Sequence, residues 1–123
     1  MMAEQGLALI VADLGHARLH AGLSLAATAA AAGRTVQIFC HAEGVALVQP
    51  GRFWPEDAAY QAAGLPTVAD LLETALDLGV AVMVCQSGLA LMNLSAADLP
   101  AQIEGGGLLG FLERTKGSQL VLV

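Results

Sequence analysis

The sequence predicts an α/β fold: a three-layer α/β/α sandwich on a mostly parallel sheet of about five strands. Three observations lead there. Short apolar runs recur without polar alternation, the pattern of strands buried on both faces. Segments of helical spacing or helix-forming composition lie between them. Strand and helix then alternate along the whole chain, and a parallel sheet covered by helices satisfies that order. A length of 123 residues suits one domain spanning 1–123. No internal repeat, low-complexity tail or linker divides it.

Gly6 to Ala12 is the first apolar run and the first strand. Ala17 to Ala32 follows as a helix rich in the best helix former, whose small side chains let it lie close to a sheet. Gly33 stands where a left-handed C-terminal cap belongs. Thr35 to Cys40 is the second strand, closing a right-handed βαβ unit. The signal weakens from His41 to Pro66. Gln49-Pro50-Gly51 and Trp54-Pro55 are turn chemistry, and Glu56 to Ala63 suits two helical turns. A connection this long is expected to cover a site or meet another subunit. Phe53 and Trp54, beside Arg52, are expected to fill a subunit interface.

Thr67-Val68-Ala69-Asp70 opens the clearest helix, with Thr67 and Asp70 at capping-box spacing. Val68, Leu71, Leu72, Ala75 and Leu76 share one face, while Asp70, Glu73 and Asp77 share the wet one. Gly79 ends this helix. Val80 to Cys85 is the third strand, running directly into a short helix from Gln86 to Met92. Asn93-Leu94-Ser95 is a turn, and Ala101 to Glu104 is a fourth strand. Gly105-Gly106-Gly107 reads as a tight turn into a helix from Leu108 to about Thr115. Ser118 to Val123 closes the sheet.

The composition is 56% hydrophobic and 13% charged, against roughly 45–50% and 25% in average soluble domains. So small a chain has little interior for that excess, which predicts a homo-oligomer. Five Lys and Arg stand against 11 Asp and Glu, a net charge of −6. The basic residues are scattered, which argues against nucleic acid and against an anionic membrane surface. The first residues show no signal-peptide pattern, and Ala17 to Ala32 is too interrupted by polar residues to span a bilayer. The expected location is the cytoplasm, where both cysteines are free thiols.

Reactive groups in open parallel sheets gather at the carboxyl ends of strands, the position of both Cys40 and Cys85. Cys85 also leads straight into a helix, whose unpaired N–H groups favour the thiolate. Either cysteine can instead be a small core hydrophobe. A disulfide between them would require Cα atoms within about 7 Å. His16 and His20, four apart, lack the further ligands that zinc requires, so no metal is expected. The glycine run lacks a phosphate-binding signature, so no cofactor is expected.

Several segments carry a family resemblance. Gly79 to Cys85 is similar to the segment of the DsrE family that ends in a sulfur-accepting cysteine. Phe39-Cys40-His41-Ala42-Glu43-Gly44-Val45 resembles the family's second strand end, and Thr67 to Leu72 resembles the helix before the cysteine strand. Leu108 to Leu112 and Gln119 to Val123 resemble its last helix and strand. The resemblance implies a DsrE-like sandwich assembled as a trimer or hexamer. It implies a possible sulfurtransferase role, in which Cys85 relays persulfide sulfur between a donor and an acceptor protein. Cys40, His41, Gln86 and Ser87 are the candidate supporting residues. Unlike several relatives, the helix after Cys85 has no second cysteine and no basic residue, leaving backbone N–H groups and the Ser87 hydroxyl to hold a persulfide anion. The competing expectation is a non-catalytic oligomeric module that binds proteins or small ligands.

Overall fold

A computed structural model describes residues 5–123. Met1 to Glu4, the start of the segment without a signal-peptide pattern, lie outside the described residues. In chain order the elements are β1 (Leu7–Val11), α1 (His16–Ala31), β2 (Val36–Cys40), a 3-10 segment (Ala42–Val48), α2 (Asp57–Ala62) and α3 (Val68–Asp77). There follow β3 (Ala81–Cys85), α4 (Gln86–Leu91), a 3-10 turn (Ala96–Asp98), β4 (Ile103–Gly106), α5 (Leu108–Arg114) and β5 (Gln119–Leu122).

The five strands form one sheet in the order β4-β3-β2-β1-β5, and all four pairings are parallel. The α/β expectation is met, with the sheet wholly rather than mostly parallel. Registers align Leu9 with Ile38 and Val121, Ile38 with Val82, and Val82 with Ile103. The carboxyl ends of β1, β2 and β3 therefore lie together at one edge.

Side chains alternate across a strand, and here the alternation separates two unequal layers. Leu7, Leu9, Ile38, Cys40, Val82 and Val84 face α1 and α3, contributing to the larger core cluster. Ala8, Phe39 and Met83 face the other way and meet Phe111 of α5. One seven-residue helix covers that second face. The outer side chains of Leu109 and Leu122 are consequently 76% and 67% exposed.

Local chemistry fixes the helix ends. Thr67 Oγ1 accepts the Asp70 N–H and Asp70 Oδ2 accepts the Thr67 N–H, completing the capping box. Gly33 and Gly79 have φ of 92° and 88°, a region glycine enters without steric cost. Asn93 also turns through positive φ.

Two sequence expectations need correction. β4 runs from Ile103 to Gly106, so part of the glycine run is strand and only Gly107 caps α5. A Cβ on Gly106 would come within 2.5 Å of Met83 Sδ, so glycine is what lets the methionine lie across the β3–β4 pair. Trp54 is not offered to another subunit. It is 7% exposed, packed edge-on to His16, with the Arg52 guanidinium 4.7 Å above its ring. Its neighbour Phe53 is exposed.

Candidate functional site

β3 delivers Cys85 to the carboxyl edge of the sheet, where the residue also serves as N-cap of α4. A strand that passes directly into a helix leaves the first helical N–H groups unpaired and pointing back at the capping side chain. The N–H groups of Gly88 and Ser87 and the Ser87 hydroxyl donate to the Cys85 sulfur, together with the N–H of Ala42. Partial burial works against ionisation of the Cys85 thiol, but these donors outweigh it and hold the pKa below the ordinary value of 9.0. The side chain is half-buried. The thiolate form is thus favoured and open to a reaction partner.

Ala42 reaches the sulfur because the 3-10 segment is pressed against the sheet. The His41 N–H donates to Val11 O at 2.9 Å and the Gly44 N–H to His41 O at 2.8 Å, folding the chain back over the end of β1. A Cβ on Gly44 would lie 2.1 Å from Val11 O, so no side chain fits there. Ala42 itself adopts φ of 49°, in the left-handed region that a non-glycine residue enters at a cost. A Cβ on Gly88 would stand 2.6 Å from both Ala42 O and Val45 Cγ2. Two glycines therefore bring α4 and the 3-10 segment into backbone contact and close the ring of donors.

The predicted residues divide accordingly. Ser87 joins Cys85 directly. His41 contributes through its backbone, with its side chain exposed near Phe39. The Gln86 side chain lies toward Gly105 and is not a donor to the sulfur. Cys40 is fully buried, and burial pushes its thiol up to about 12. It is not poised as a nucleophile, and both cysteines are free. Cys40 is in register with Val84, so the pleat turns Cys40 and Cys85 to opposite faces.

Ala42 and Gly88 are absent from the sequence-derived set. Gly88 carries a signal, since a glycine inside a short helix costs about 1 kcal/mol relative to alanine and commonly marks a close approach. Ala42 carries none, because its unusual φ comes from tertiary packing.

A second polar cluster lies on the α1 side. Buried His16 Nε2 lies 2.7 Å from Asp57 Oδ1, which also accepts the Val68 N–H, and His20 Nε2 bonds Pro66 O. Tyr60 packs against both histidine rings. Among the described residues no group of three or more His, Cys, Asp or Glu side chains is arranged to hold a metal ion.

The family model of DsrE/DsrF-like proteins matches residues 6–123, nearly the whole chain. The chain belongs to the DsrE/DsrF-like family. Two solved structures share the fold of this family member. The crystal structure of the ychN protein from E. coli aligns with a TM-score of 0.75 at 19% identity, covering 97% of this chain and 98% of that one. A protein of unknown function from Methanobacterium thermoautotrophicum, MTH1491, aligns with a TM-score of 0.72 at 12% identity, covering 98% and 100%. At these identities the likeness concerns the fold alone. No match was found among curated proteins.

Proposed function

We propose that this DsrE/DsrF-like protein is a cytoplasmic sulfur carrier that accepts and passes on sulfane sulfur as a Cys85 persulfide. The supporting observation is the ring of N–H donors from Ala42, Ser87 and Gly88 around a half-buried strand-end sulfur. Those donors suit an anion on sulfur without a neighbouring cation. In the step, the Cys85 thiolate attacks the outer sulfur of a donor persulfide. The donor S–S bond breaks as the new one forms, and the donor leaves as a thiolate that takes up a proton. The reverse attack by an acceptor thiol discharges the carrier, and no outside oxidant is required.

The same reading includes assembly into a trimer or hexamer of identical subunits. The exposed Leu109, Leu120 and Leu122, on α5 and the edge strand β5, support it. The non-catalytic module remains the competing reading, and it predicts that Cys85→Ser changes neither assembly nor partner binding.

Intact mass measured after incubating the reduced protein with a sulfane-sulfur donor tests the proposal. Wild type and Cys40→Ala are each expected to gain one reducible sulfur atom, and Cys85→Ala none. A folded wild type that gains nothing would remove the carrier reading.

A further inference from the structure

The helix layer beside α3 is incomplete. α1 packs along one flank of α3. On the other flank, the crossover from β3 to β4 contains only the six-residue α4 and a 3-10 turn, too short to supply a second full helix. A groove of about 350 Å³ occupies the gap. Val68, Leu72 and Leu76 of α3 form one apolar wall, and Leu47, Val48 and Pro50 of the segment after β2, with Pro100, contribute the rest of the apolar lining. Glu73 and Asp77, one helical turn apart, lie at its side, exposed and in no ion pair among the described residues. Arg52 also lines the groove, and its Nε is buried without an acceptor.

The charged residues lining the groove are Arg52, Glu73 and Asp77; the Arg52 guanidinium is engaged by the Trp54 ring and the Gln49 side chain, which leaves the two carboxylates as the unpaired charges. Residues 53–113 contain eight Asp or Glu and no Lys, Arg or His. A surface of that kind steers basic partners and repels acidic ones.

We propose that this groove docks a short amphipathic helix of a partner protein, apolar on one face and basic along its flank. Helices pack at interaxial distances of about 8–10 Å, so a second helix can lie alongside α3 as a full crossover helix would. α3 has ten residues, about 15 Å of rise, enough for two to three turns of the incoming helix. Leucine-sized side chains meet Leu72 and Leu76, and lysine or arginine on the flank meets Glu73 and Asp77. The chain's own α5 is a poorer occupant, because Arg114 already pairs with Glu104 and Lys116 with Glu113. The inference does not depend on Cys85 chemistry, and Cys85→Ala should dock the same helix.

The test is a titration of the 15N-labelled full chain with a short synthetic leucine–lysine amphipathic helix, followed by amide shifts. Shifts are expected along α3, around Arg52 and at Pro100–Gln102. Glu73→Gln with Asp77→Asn should weaken binding about tenfold, the combined effect of two partly screened charge pairs. Glu56→Gln with Glu113→Gln removes the same charge elsewhere and should change binding less than about twofold. The proposal is overturned if the peptide does not bind, if shifts fall outside the groove, or if both double variants weaken binding equally. It is also overturned if the groove amides shift with protein concentration in the absence of peptide, which would make a second copy the occupant.

Discussion

Cys40 and Cys85 end neighbouring strands, one register step apart, and their environments are opposite. Cys40 points into the face covered by α1 and α3, is completely enclosed, and has its thiol pushed up to about 12 by burial. Cys85 points toward the thinly covered face, remains half-buried, and has its thiol pulled down by N–H donors. Proximity to the carboxyl edge is common to both. What separates them is strand parity, which selects the face, and the next element, which either supplies helical N–H groups or turns away.

Alkylation gives the largest expected difference. In the native protein Cys85 should react at least about 1,000-fold faster than Cys40, which is reached only through opening of the core. Time-resolved intact mass with iodoacetamide measures this, and comparable rates would break the contrast.

Stability against pH should carry the same signature with opposite signs. The raised Cys40 pKa contributes stability that is fully present below 9.0 and is lost as pH climbs toward about 12. Denaturant unfolding should show a progressive loss of stability above 9.0, on the order of 1 kcal/mol per pH unit, absent in Cys40→Ala. The lowered Cys85 pKa works the other way: its contribution is present above 9.0 and fades as pH falls through the folded value. Cys85→Ala should flatten that lower limb.

Gly88→Ala sharpens the comparison by disturbing the donor ring. A methyl group 2.6 Å from Ala42 O forces α4 away from the 3-10 segment. A destabilisation of about 1–3 kcal/mol is expected, together with a higher pKa for Cys85 alkylation and no change at Cys40. Ser87→Ala should be mildest. It removes a side-chain donor to the sulfur but leaves the backbone donors, so the alkylation rate should fall less than about tenfold, equivalent to roughly 1 kcal/mol.

The sequence showed the alternation of strands and helices, the Thr67–Asp70 capping box and the Cys85-to-helix junction, because each is written in neighbouring residues. Periodicity, caps and helix breakers are local signals. It did not show that Cys40 is fully enclosed, since that enclosure depends on the packing of α1 and α3 against the sheet. Trp54 was misread for a related reason: a large apolar residue in a loop has no local mark of whether it folds inward against His16 or faces a second subunit. β4 was misplaced because glycine disfavours strands by propensity, whereas here close packing against Met83 requires it.

The strand order also has a kinetic consequence. Among the described strands β5 pairs only with β1, so the Leu7↔Gln119 register joins residues at nearly opposite ends of the described chain. Contacts so distant in sequence close slowly, because loop entropy is lost before they form. Until β5 emerges from the ribosome, one edge of β1, with Leu7, Leu9 and Val11 along it, has no partner strand. An open apolar edge of that kind invites pairing with other chains during synthesis. Folding of this sheet should therefore be most vulnerable to aggregation just before β5 is translated.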